Sequence, residues 1–107
     1  MHGNSNSNPD EHHLYGIFEV ETNELYKYGI SNQPLNDDGS SPRANQQLSV
    51  FNQLFGYIKF YAKVLINKIS GRIEVKKLEN TYIANHIAKF GKPPRGNQNI
   101  NHLPEQE

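Results

Sequence analysis

The chain has 107 residues, room for one compact domain and not two. Its 11 Lys and Arg balance 11 Asp and Glu, so no global field draws it to nucleic acid and any basic patch must be local. It has no cysteine, which excludes a disulfide framework and a thiolate metal site, and no apolar run long enough to span a bilayer.

Residues 1–13 alternate Asn, Ser and Gly and end in Asp10-Glu11-His12-His13. Such composition buries little apolar surface, so the stretch reads as a flexible linker with solvated histidines. A linker-like start points to a domain taken from a longer chain. Two segments rich in aromatic and β-branched residues follow, 14–20 and 25–31. They read as strands, and the short polar link Glu21-Thr22-Asn23-Glu24 makes them a hairpin. Each strand carries a glycine between bulky neighbours, Gly16 and Gly29. Glycine inside a strand marks a bulge or a close approach to the backbone, and two on paired strands point to one crowded, concave spot.

After a loop over 32–41, Ser40-Ser41-Pro42 supplies a helix start, with a Ser cap and Pro in the first turn. The helix spans 43–55, and Ala44, Leu48, Phe51 and Phe55 form its core stripe. Arg43 sits in its first turn, where the helix dipole disfavours a cation by roughly 0.3–1 kcal/mol. It is either well solvated or kept for an anion. Period-two alternation from Ile58 to Ile66, broken at Leu65, predicts a third strand over 57–66, with Asn67 to Gly71 as the turn. A second helix spans 73–90, with Val75, Leu78, Tyr82, Ile83, Ile87 and Phe90 as its stripe. Gly91 stops it and Pro93-Pro94 keep it from resuming. Residues 98–107 read as a polar, mobile tail. The fold class is α+β, a small three-stranded antiparallel sheet flanked by helices, with the domain at 14–97.

Glu79 lies between Val75 and Ile83 on the apolar stripe. A carboxylate facing a sheet is costly unless it is paired or holds a cation. It is therefore a metal ligand or general acid/base, or else a stripe-edge residue paired with a lysine. His86, near the same face, reads as a hydrogen-bonded boundary histidine. Phe90-Gly91-Lys92-Pro93-Pro94-Arg95-Gly96-Asn97 combines two cations with rigid prolines, which suits a loop touching phosphate or a plain helix-ending turn.

The order of these parts resembles the GIY-YIG (URI-type) nuclease superfamily, and more closely its branch among bacterial polymorphic toxins. Gly16-Ile17-Phe18 stands where the family has Gly-Ile-Tyr, and Lys27-Tyr28-Gly29 where it has Tyr-Ile-Gly. The resemblance makes Arg43 the helix arginine, Glu79 the metal-binding glutamate and Asn97 the asparagine. It implies metal-dependent phosphodiester hydrolysis, of DNA more than RNA, with one Mg2+ or Mn2+ on Glu79 and Arg43 on the scissile phosphate. Lys27 would assist Arg43 or favour a tyrosinate, while Lys92, Arg95 and Asn97, with the openings at Gly16 and Gly29, would contact the substrate. Phe18 cannot take a proton, so another group must activate the water: Tyr28, Tyr26, Tyr15 or the ion. Tyr28 ranks first because it adjoins Gly29 and follows Lys27, and alternation places Tyr26 on the same face. The toxin branch further implies a secreted effector acting in the target-cell cytoplasm and a cognate immunity protein. The rival is a non-catalytic binding module for nucleic acid or protein, with Phe18 as the mark of lost chemistry.

Overall fold

The computed structural model describes residues 11–98; the expected linker up to residue 10 and the tail from 99 lie outside the described residues. The order is β1 (Glu11–Glu19), β2 (Leu25–Ser31), α1 (Pro42–Phe55), β3 (Phe60–Ser70), α2 (Arg72–Phe90) and the short α3 (Arg95–Gln98). The three strands form one antiparallel sheet in the order β2-β1-β3, so the domain is α+β as the sequence predicts.

β1 is the central strand and both its faces are covered. Tyr15 and Ile17 pack with Ala44 and Phe51 of α1 and with Phe60. Leu14 packs on the other face with Val75, Leu78 and Tyr82 of α2. Burial therefore runs unbroken from His12 to Ile17, which replaces the alternation of a half-exposed strand. This explains the first correction. Glu11, His12 and His13 belong to β1 and not to a linker, and both histidines are buried. Polar composition hid a strand whose neighbours on each side bury it regardless.

Irregularities in the pairing set the faces. Ile17 pairs with Lys27 and Phe18 with Leu25, so Tyr26 is one residue extra on β2. A bulge of this kind puts two successive side chains opposite one partner and reverses the alternation beyond it. Tyr26 accordingly packs on Phe51 and Phe60, whereas Tyr28 packs on Tyr82 on the α2 side. The expectation that Tyr26 and Tyr28 share a face fails for this reason. On β3, Leu65 is the extra residue between Ile66 and Val64, at the break in the sequence pattern. A second irregularity lies near Lys68, whose φ is 57°. These bulges carry β3 on to Ser70 where the sequence predicts a turn, leaving Gly71, with φ 88°, as the joint to α2.

β3 also starts later than predicted. Asn52 of α1 accepts hydrogen bonds from the backbone N–H of both Lys59 and Phe60 at 2.9 Å, which fixes the strand's first residue. Tyr57 and Ile58 stay outside the sheet, and Ile58 is 76% exposed where alternation would bury it. The α1 stripe is as predicted, with Ala44 and Phe51 buried and Leu48 and Phe55 packed beside them. The α2 stripe holds only over its first half; Ile87 and Phe90 are exposed.

Ser41 caps α1, accepting from the Ala44 N–H at 3.2 Å. Its hydroxyl also meets His13 Nε2 at 2.6 Å. This bond ties the central strand to the helix that carries Arg43. Burial, and then the nearby His12, hold the His13 pKa below its ordinary value. A lowered pKa means the folded protein binds the proton less tightly than the unfolded chain, so stability is complete above the unfolded pKa of about 6.5 and falls as pH drops below it. Thermal melts from pH 8 to 5 should show this loss, and His13→Gln should flatten the slope.

Candidate active site

Tyr15 points from β1 towards β2 and lies across Gly29, its partner in the ladder. A Cβ on Gly29 would overlap the Tyr15 ring and hydroxyl. The missing side chain leaves room for the phenol to lie over the edge strand. There its hydroxyl donates to Gln47 Oε1 at 2.8 Å. Arg43, one helical turn before Gln47 on α1, also hydrogen-bonds the hydroxyl. Both positions follow from the start of α1: Ser41 as cap and Pro42 at the first helical position place Arg43 in the first turn.

Glu79 approaches from α2 closely enough for its charge to act on both Tyr15 and Lys27. Lys27 is buried and also feels Arg43. Tyr15, Lys27, Arg43 and Glu79, from four elements, thus lie within electrostatic reach of one another, with Arg43 and Gln47 bonded to the Tyr15 hydroxyl. Burial raises the Tyr15 pKa to about 12; Arg43 opposes this through its charge and hydrogen bond, and Glu79 adds to it. Burial lowers the Lys27 pKa, with Glu79 opposing and Arg43 reinforcing the effect.

Glu79 is 9% exposed, and its Oε1 meets Lys76 Nζ at 3.1 Å. The lysine-paired reading of Glu79 is therefore realised. Lys76 is itself half-exposed, and such helix pairs contribute only about 0.3–0.5 kcal/mol, too little to account for sinking a carboxylate into a buried stripe. Among the described residues no three His, Asp or Glu side chains come together as a metal cage. The donor set fits only an ion that brings most of its ligands, as Mg2+ does with water and substrate phosphate oxygens.

The other predicted site residues lie elsewhere. Tyr26 is a core residue. Tyr28 faces Tyr82 on the opposite side of the sheet from Tyr15, so the structure does not bring it to Arg43 and Gln47. Phe18 stacks on Tyr61 at 5.4 Å, away from the cluster, and its ring covers Gly16. The two glycines therefore open opposite faces and do not make one concave spot; both openings are filled by the protein's own rings. Asn97 closes on the edge of β2: its Oδ1 accepts from the Tyr28 N–H at 2.9 Å and its Nδ2 donates to the Tyr28 carbonyl at 3.1 Å. Gly96 brings α3 against the Lys27 and Tyr26 side chains. Asn97 is thus engaged in holding the strand that bears Lys27. Lys92 and Arg95 line a groove of about 740 Å³ with Tyr28, Tyr82 and Phe90. His86 closes one side of it, donating from Nδ1 to the Lys92 carbonyl at 2.8 Å, as expected of a boundary histidine. Sequence reasoning missed Gln47, whose one signal is its spacing of one turn from Arg43.

The model of the family described as URI fold toxin 2 matches residues 5–91. The chain belongs to this family. The matched segment holds Tyr15, Lys27, Arg43 and Glu79, and it includes the residues before Leu14 that composition alone assigns to a linker. The α+β sheet with flanking helices is consistent with a small toxin domain of the URI fold. No curated protein and no solved structure matches the chain. No helix among the described residues of this toxin-family domain is long and apolar enough to cross a membrane.

Gly29→Ala tests the crossing of Tyr15 over β2. The added methyl has no room unless the ring moves, so the variant should lose about 1–3 kcal/mol in denaturant titration. Ultraviolet titration should also find Tyr15 ionising earlier than in the parent, since it leaves its buried seat.

Proposed function

We propose that this toxin-family domain is a metal-dependent nuclease that hydrolyses phosphodiester bonds, with DNA favoured over RNA as substrate. One observation carries the reading. A phenol, a guanidinium, a buried ammonium and a buried carboxylate, from four elements, lie close enough for their charges to act on one another, and the core needs none of the three charges.

Arg43 is suited to grip two oxygens of the scissile phosphate, and its planar fork matches the charge that grows there in the transition state. Lys27 adds a second positive charge held in place by burial. Once ionised to the tyrosinate, Tyr15 takes the proton of the attacking water as the water oxygen bonds to phosphorus and the bond to the leaving sugar oxygen breaks, that oxygen then taking a proton from solvent. Its raised pKa keeps it protonated in the free protein at neutral pH. Burial is the main cause of that rise and Glu79 a lesser one, so neutralising the Glu79 charge removes one obstacle to ionising Tyr15 and leaves Arg43 to favour the tyrosinate against burial. A divalent cation on Glu79, Mg2+ or Mn2+, would supply that neutralisation and stabilise charge on the phosphate and leaving oxygens. Lys92 and Arg95 track the strand beyond the site. The toxin family supports the reading of a secreted effector domain, and the proposal extends it to action in the target-cell cytoplasm under the restraint of an immunity protein.

The rival reading, a binding module whose chemistry is lost at Phe18, loses its main support, because Phe18 lies outside the cluster and Tyr15 supplies the hydroxyl.

Plasmid nicking with and without EDTA tests the activity. Parent protein should nick in Mg2+ and stop in EDTA; inactivity on DNA with cleavage of RNA would change the substrate, and inactivity on both would sink the reading. Glu79→Gln should be folded and inactive. Tyr15→Phe should lower the rate roughly 10²–10⁴-fold with Tyr28→Phe near parent, and the reverse ranking would return the base to Tyr28. Arg43→Lys should be inactive, since lysine keeps the charge and loses the fork.

A further inference from the structure

Arg43 has a second neighbourhood. A cavity of about 240 Å³ is lined by Ser31, Asn32, Gln33, Arg43, Gln46 and Arg72, with His12 and Ile30 behind them. Its lining carries two arginines and no aspartate or glutamate. Among the described residues neither arginine joins an ion pair. They come from the first turn of α1 and the first residue of α2, so tertiary folding alone brings them to one small polar chamber. Like charges facing one cavity repel, and an anion between them relieves the repulsion.

We infer that this cavity binds a second phosphate of the substrate strand, next to the scissile one, with Arg72 as its dedicated contact and Arg43 as the wall shared with the active site. The inference rests on the nuclease reading and names how that site engages its substrate. Arg72 lies seven residues before Glu79 on α2, hence on the same side of the helix and about 10 Å along its axis. Ser31, Asn32, Gln33 and Gln46 offer neutral hydrogen-bond donors for the remaining oxygens. The lining has no Phe, Tyr or Trp on which a base would stack, so the occupant is a phosphate and not a nucleobase. Sequence reading gave no hint of Arg72, since nothing near it in the chain marks it out.

Two consequences separate this subsite from the catalytic cluster. Arg72→Ala should raise KM about tenfold, the worth of one charge-assisted contact, while kcat stays within about twofold. For a fluorescent DNA 20-mer bound in EDTA, the slope of log affinity against log salt should shrink by about one, and Arg72→Lys should restore it. An uncharged methylphosphonate beside the scissile linkage should weaken the parent as much as Arg72→Ala does, and should add nothing to that variant. Parental KM and salt slope in Arg72→Ala, or additive losses with the methylphosphonate, would overturn the subsite while leaving the nuclease reading standing. If the parent cleaves nothing, pyrophosphate titration by NMR still decides. Shifts at the amides of residues 31–33 and 72 that vanish in a folded Arg72→Gln support the subsite, and no shifts there refute it.

Discussion

The site depends on one contact, the Tyr15 ring lying across Gly29. Any side chain on Gly29 would overlap the Tyr15 ring and hydroxyl and displace the phenol. With hydrogen there, the hydroxyl lies over the edge strand, bonded to Gln47 and Arg43 of α1 and within reach of the charge of Glu79 on α2, although the two helices pack on opposite sides of the sheet.

The edge strand that Tyr15 crosses is held by two further devices. The bulge at Tyr26 sends that ring into the core and turns Lys27 to the Tyr15 side. Asn97 then closes the outer edge as a side-chain substitute for a fourth strand, satisfying both the N–H and the carbonyl of Tyr28. An exposed edge is a hazard that proteins cover or interrupt, and here the cover also steadies the strand bearing Lys27 and Gly29.

The electrostatics of the cluster are a compromise. Burial opposes ionisation of Tyr15 and charging of Lys27, while Arg43 and Glu79 push each of them in opposite senses. The free protein therefore holds a neutral phenol beside charges that a cation and a phosphate would rearrange. Such a site is sensitive to what binds it, because small changes in nearby charge move groups already displaced from their ordinary pKa values.

The sequence by itself determined the elements and much of their chemistry. Hairpin, capped α1, third strand and Gly91-terminated α2 were legible from turn residues, caps and periodicity. Arg43 at a helix start and Glu79 within an apolar stripe were legible because each violates a local preference. Tertiary structure decided which tyrosine joins them. Period-two reasoning assumes an unbroken ladder, and one extra residue at Tyr26 reverses every face beyond it, so Tyr26 and Tyr28 part company and Tyr15, not Tyr28, lies beside Arg43. Tertiary structure likewise made a central strand of His12 and His13. Their burial comes from β2, β3 and the two helices around them, and polar residues carry no local signal of neighbours that arrive from elsewhere in the chain.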